Sequence, residues 1–143
     1  MSARTIPGSL PVAFRYTPGV ANTRFLEALR DRGVFLGSRC DACEITVVPA
    51  RLFCERCLRE TPTEVECGPE GTLESWTVGK VGIDNERLDR PVMLGLIRLD
   101  GADTVLVHRL LGAREPTFGM RLRAELVRER SASILDVEGF RPV

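Results

Sequence analysis

The first 21 positions show no sustained apolar period, and Pro7, Pro11 and Pro18 are interspersed there with Gly8 and Gly19. Proline fixes φ and removes a backbone donor, so the segment reads as an extended arm over residues 1–21. Val12, Phe14 and Tyr16 fall at alternate positions, which would let such an arm lay one side against a surface of its own or of a partner. From Asn22 the spacing becomes helical. Phe25, Leu26 and Leu29 make one apolar face, while Arg24, Glu27, Arg30 and Asp31 make the other. A short helix is predicted, capped by Asn22 or Thr23 and ended at Gly33. The runs Val34-Phe35-Leu36 and Ile45-Thr46-Val47-Val48-Pro49 read as short strands, and the stretch from Arg59 to Glu66 reads as polar connection. Gly68-Pro69 and Gly71 are turn residues, so a module boundary is expected near residue 68.

Beyond Gly71 the pattern changes to alternation. Leu122, Ala124 and Leu126 interleave with Arg121, Arg123 and Glu125, as on a strand with one buried and one wet face. Five strands are predicted at 72–80, 92–100, 104–111, 121–130 and 133–137, punctuated by Gly101, Gly112, Gly119 and Gly139. Residues 80–91 make the longest polar loop. Five short strands in this length fit a small closed barrel of the OB type, and an open sandwich accommodates the same strands. The expected fold is therefore mainly β, with the arm at 1–21, a helix and metal ribbon at 22–67, and the barrel at 68–143.

Cysteine spacing changes the picture most. Cys40-x-x-Cys43 and Cys54-x-x-Cys57 are separated by ten residues. Two intervening residues let a tight turn aim both thiolates at one ion, and a short hairpin brings two such turns face to face. Zinc favours a tetrahedron of thiolates and contributes folding energy to a module too small for a core. Iron, as a rubredoxin-like centre or an Fe–S cluster, accepts the same ligand set. A thioredoxin-type redox pair would need one Cys-x-x-Cys in a βαβ setting, and two pairs between short strands do not supply it. Four thiolates fill the coordination sphere, which points to a structural ion and away from hydrolytic zinc.

Composition adds exclusions. The chain has 143 residues, 20 basic and 20 acidic, for a formal charge of zero. A nucleic-acid binder normally carries a basic excess, because phosphate neutralisation supplies most of its affinity. No run of about 20 apolar residues is present for a bilayer span, and the first residues lack a signal-peptide pattern. Paired thiols without an export signal suit a reducing compartment, so a cytoplasmic, soluble protein is expected. The single histidine, His108, lies in an apolar strand and reads more simply as a packed residue than as an acid–base group. Cys67 reads as a small buried residue at the boundary rather than as a nucleophile. No Ser-His-Asp order, phosphate-cradling loop or carboxylate pair stands out, and no catalytic residue is expected.

The order of parts resembles a known family. A helix ending in glycine precedes the first cysteine pair, then come Pro-Ala-Arg (49–51) and the second pair. Gly-Thr-Leu-Glu-Ser-Trp-Thr-Val (71–78), Pro-Val-Met-Leu-Gly-Leu-Ile-Arg-Leu-Asp-Gly (91–101), Gly-Met-Arg-Leu-Arg-Ala-Glu-Leu (119–126) and Gly-Phe-Arg-Pro (139–142) follow. The set, spanning roughly residues 22–142, is similar to the DUF35 family, whose members join a rubredoxin-like zinc ribbon to an OB-fold. The resemblance implies that Cys40, Cys43, Cys54 and Cys57 hold Zn2+, and that the chain accompanies a thiolase-fold enzyme handling acyl-CoA thioesters. That enzyme would be a thiolase or a retro-aldolase cleaving a β-hydroxyacyl-CoA, in some cases of steroid side-chain degradation, and a MaoC-like hydratase is a further possible associate. The chemistry would then reside in the partner, with a CoA thioester held at or near the interface. Arg24, Arg39 and Arg51 are candidates for the CoA phosphates, against the plainer reading of a solvated charged face. Two other functions compete: a single-strand nucleic-acid module, and a stand-alone acyl-CoA enzyme acting through His108 or Cys67.

Overall fold

A computed structural model describes residues 8, 13, 16–82 and 85–143, so Val12 and Phe14 of the expected arm lie outside the described residues. Helix α1 (Gly19–Arg32) begins earlier than the apolar spacing suggested. Pro18 occupies its N-cap position without a side-chain cap, and neither expected cap does that work. Thr23 instead donates from Oγ1 to the Gly19 carbonyl at 2.7 Å, one turn back inside the helix. A proline-defined φ is already helical, which is why the helix can start there. The C-terminal end is as expected. Gly33 takes a left-handed φ of 71° and its N–H bonds Leu29 O at 3.1 Å.

Two antiparallel sheets follow. The first is built from β1 (Phe35–Cys40), β2 (Ile45–Val47) and β3 (Thr63–Cys67), in the order β2-β1-β3. Strand β3 lies in the stretch read as polar connection. Thr63, Glu64 and Glu66 are exposed, and only Val65 and Cys67 turn inward, so charge masks the alternation. The second sheet contains β4 (Glu70–Val81), β5 (Arg87–Leu99), β6 (Val105–Arg109), β7 (Arg121–Leu126) and β8 (Val137–Pro142), in the order β6-β5-β4-β7-β8. A parallel bridge between Leu110 and Phe140, with Leu111 N–H on Phe140 O at 2.7 Å, brings the two outer strands together. The sheet thus curls into the five-stranded OB arrangement and not an open sandwich.

Three strand limits differ from the sequence reading. Strands β4 and β5 run well into the expected loop 80–91, forming a long hairpin with register shifts at Leu73/Ser75 and Gly79/Val81. Strand β7 stops at Leu126. The last strand is not at 133–137 but at Val137–Pro142, after a single 3-10 turn (Ile134–Asp136). Ser133 and Asp136 form a capping box around that turn. Gly139, expected to be a turn, is inside β8, because Leu111 Cγ lies 2.6 Å from where its Cβ would be. Among the described residues no helix is long and apolar enough to cross a membrane.

One core serves all three parts. Phe25, Ala28 and Leu29 of α1, Phe35 and Leu36 of β1, and Leu73, Ile97, Leu99, Leu122 and Phe140 of the barrel are buried in a single cluster. Phe35 lies 6.4 Å from Phe25 and 6.1 Å from Phe140 between ring centres, so one ring links helix and barrel. Backbone approach is closest where β4 leaves the ribbon. A Cβ on Gly71 would lie 2.5 Å from the Arg98 carbonyl oxygen and 3.0 Å from Leu99 Cα, neither of which can rotate away. Gly79, farther along the same strand, has nothing nearer than 3.6 Å. Gly71→Ala should therefore destabilise the protein by about 1–3 kcal/mol. Gly79→Ala should stay within about 0.5 kcal/mol of the parent in denaturant titrations. Equal effects at both positions would contradict the packing described.

Candidate metal centre and the surfaces around it

Strand β1 delivers Cys40 at its last residue, and the turn into β2 carries Cys43. The second pair stands on a small loop pinned by Cys54 N–H on Arg59 O at 2.8 Å and Leu58 N–H on Cys54 O at 2.9 Å, with Phe53 bridged to Glu60. All four sulfurs lie within 4.8 Å of one another, and Cys40 Sγ is 3.6 Å from Cys57 Sγ. A tetrahedron with Zn–S bonds of about 2.3 Å has S···S edges of about 3.8 Å, so the donor set fits such an ion. Cys40 and Cys54 are buried while Cys43 and Cys57 are half-buried. Apart from these cysteines, Ile45 is the one residue among the described residues in the buried cluster at this tip.

The thiols are electrostatically unlike. The N–H groups of Cys57 and Arg56 point at Cys54 and hold its pKa down to about 7. Cys43 is pushed up to about 12, chiefly by the neighbouring Cys57 and then by burial, and burial also raises Cys40. Four adjacent thiolates repel unless a cation lies between them, and a bound divalent ion deprotonates its thiols outright. Both knuckles close in the same manner. Glu44 and Leu58, each immediately after the second cysteine of its pair, have left-handed φ values of 56° and 60°.

Comparison with known families fits this geometry. Residues 28–63 match the family described as ChsH2, rubredoxin-like zinc ribbon domain, and residues 64–127 match ChsH2, C-terminal OB-fold domain. The two matches abut and together span more than half of the chain. The chain belongs to the DUF35 family. A solved DUF35 protein of unknown function from Sulfolobus solfataricus is similar over 87% of this chain and 84% of its own, at 25% identity and a TM-score of 0.65. The Ltp2-ChsH2(DUF35) aldolase structure is similar over 90% of this chain and 98% of that one, at 24% identity and a TM-score of 0.64, which speaks for the fold. No curated protein matches the sequence. The ribbon of this DUF35 chain, with its four clustered cysteines, supports a structural zinc.

Of the three candidate arginines, the fold brings two together. Arg24 of α1 and Arg51 line one cleft of about 250 Å³ with Ser38, Leu52 and Phe53, while Arg39 is not among its walls. Arg24 pairs with Glu64 at 3.3 Å, Arg51 pairs with Glu55, and Arg39 stands 3.9 Å from Asp41. Ser38, which sequence reasoning passed over, is buried and accepts the Arg51 N–H at 2.9 Å, fixing the floor of that cleft. His108 is half-buried with its ring edge-on to Phe140, 5.9 Å away, and its Nδ1 is buried without a hydrogen-bond partner. Cys67 is buried in the shared core, and burial raises its thiol pKa. Neither residue has a base–nucleophile arrangement around it in the contacts described.

The knuckle backbone is testable through its strain. A non-glycine residue in the left-handed region costs about 1–2 kcal/mol, and glycine's own entropic cost is about 0.5–1 kcal/mol. Leu58→Gly should therefore raise the stability of the zinc-loaded protein by about 0.5–1 kcal/mol. A lowered melting temperature would mean that the exposed Leu58 side chain contributes packing.

His108 should leave a mark on pH dependence. Burial lowers its pKa below the ordinary histidine value, the Ile134 backbone opposes that, and Arg109 adds to the lowering. The unfolded chain then binds this proton more readily than the folded one. Stability should be fullest above the ordinary histidine pKa, fall as pH drops from there to the folded value, and level off below it. The difference between parent and His108→Phe stability should slope in that window. A flat difference curve would show that the ring is free to protonate in the fold.

Proposed function

We propose that this chain is the non-catalytic companion subunit of a thiolase-fold enzyme acting on acyl-CoA thioesters. The partner is an aldolase that cleaves a β-hydroxyacyl-CoA by retro-aldol chemistry, with steroid side-chain degradation as the setting, or a thiolase. The observation that carries this reading is the composition of the chain: both ChsH2 domains in order, and a solved ChsH2(DUF35) that bears the name of one half of an aldolase. A MaoC-like hydratase is a further partner of the same assembly. The chain works in the cytoplasm, where thiols stay reduced.

Within this reading Cys40, Cys43, Cys54 and Cys57 hold Zn2+. Four sulfur donors leave no position for a substrate or an activated water, so the ion cross-links two knuckles. The chain supports the partner's folding and the order of its active site. Arg24 and Arg51, which line one cleft, contribute to CoA phosphate binding, and each must share its guanidinium with the carboxylate it already holds. Arg39 lies apart from that cleft and plays a lesser part.

The nucleic-acid reading is disfavoured by where the aromatic rings fall. Single-strand binders stack bases on rings presented by the barrel face. Phe140 is fully buried in the core and Phe118 sits on a loop after β6, which leaves Trp76 as the single exposed ring on a barrel strand among the described residues.

The deciding experiment co-purifies this chain with a thiolase-fold protein from the same organism and assays β-hydroxyacyl-CoA cleavage. Cleavage is expected from the pair and not from this chain alone. Cys40→Ser should lose the zinc while the barrel retains its melting transition, because β1 shares the main core. A partner that is fully folded and active without this chain would overturn the proposal. Micromolar single-strand binding with a steep salt slope would replace it by the nucleic-acid reading.

A further inference from the structure

The outside of the barrel has two halves of opposite character. Over β4, β7 and β8 it is laced with ion pairs: Arg121 to Asp100 at 2.6 Å, Arg123 to Glu70 at 3.2 Å, and Arg141 to Glu125 at 2.6 Å. Over β5 and β6 it is apolar. The register sets Leu94 opposite Arg109, Leu96 opposite Val107 and Arg98 opposite Val105, so these side chains share the outer face. Leu96, Val105 and Val107 are 36%, 44% and 59% exposed. The patch continues off the sheet, because Leu94 and Val107 share a hollow with Ile134 and Leu135 of the 3-10 turn. Single exposed apolar residues are ordinary, whereas a contiguous group rimmed by polar ones marks an interaction surface.

Charge says what kind of surface covers it. Arg98, Arg121, Arg123 and Arg141 each hold a carboxylate. Arg109 lines the same hollow as Leu94 and Glu138 and has no ion pair among the described residues. A guanidinium covered by an apolar partner without a paired counter-charge would be costly. Glu138 lines the same hollow but makes no ion pair with Arg109, so a covering surface that adds a carboxylate suits this face. A centre depleted of charge with arginine beside it is the composition of an interface core.

We infer that the outer face of β5 and β6 is the seat of the partner subunit, a protein surface apolar at its centre that places a carboxylate against Arg109. The inference rests on the companion-subunit reading above and adds to it the face used. It also leaves the zinc knuckles outside the contact, in the role of shaping the chain.

The test uses the complex of this chain with a thiolase-fold partner protein from the same organism. Val107→Asp and Arg109→Glu are compared with the parent and with Leu58→Asp on the ribbon, each checked for unchanged melting and zinc content. Val107→Asp should raise the Kd about tenfold or more. Arg109→Glu should do likewise and reduce the salt dependence of association, while Leu58→Asp should bind as the parent does. Parent and both barrel variants binding equally would overturn the choice of face and leave the companion reading standing. A parent that does not bind the thiolase-fold protein would overturn both. Self-association of the parent, abolished by Val107→Asp, would assign the face to a second copy of this chain instead.

Discussion

Burial of the Phe35 ring is the constraint on which the rest of the structure depends. The ring belongs to the ribbon sheet, yet its neighbours are Phe25 of the helix and Phe140 of the last barrel strand. Full burial of a side chain of this size stabilises by about 1.5–3 kcal/mol, and each aromatic contact adds about 0.5–1.5 kcal/mol. A three-stranded sheet of this size cannot bury its own inner face. It becomes stable by laying that face on the barrel and closing the other side with α1. Arg130 reinforces the joint by donating from Nη1 to the Leu29 carbonyl at 3.2 Å, a second donor beside the Gly33 N–H at the end of the helix.

The metal tip is the part that this shared core does not reach. Its buried set is Cys40, Ile45 and Cys54, with Cys43 and Cys57 packed against it. Sulfur–metal bonds there take the place that apolar burial holds elsewhere, which explains why the knuckle backbones tolerate left-handed Glu44 and Leu58. A strained turn persists only where its surroundings over-determine it. The division of labour between core and ion assigns shape to both.

How much of this was legible in the sequence follows from the reach of each signal. The cysteine quartet was legible because metal spacing is local, and the helix end at Gly33 was legible because left-handed caps favour glycine. The barrel class followed from alternation. Strand β3 was hidden by the exposed glutamates on its outer side, and the last strand was displaced because Gly139 and Pro142 resemble punctuation. Gly139 is in fact a close approach to Leu111, a long-range fact that no local pattern carries. Of the arginines near the ribbon, proximity in sequence suggested three, while the fold sets Arg24 and Arg51 on one cleft and turns Arg39 elsewhere. The apolar outer face escaped notice because alternation labels one side of a strand as core and says nothing of what covers the other.

The short strand β2 is completed from far along the chain. Thr46 N–H donates to Asp103 Oδ2 at 2.8 Å, Asp103 N–H donates to Thr46 O at 2.8 Å, and Val48 N–H donates to Thr104 Oγ1 at 2.9 Å. The loop between β5 and β6 thereby acts as the missing neighbour of an edge strand. During synthesis the ribbon emerges first, but its outer edge stays open until residues 103 and 104 have left the ribosome. Strand β2, made before β3, is consequently the last of its sheet to be sealed, and the interval in between is when a nascent chain would most need shielding from its neighbours.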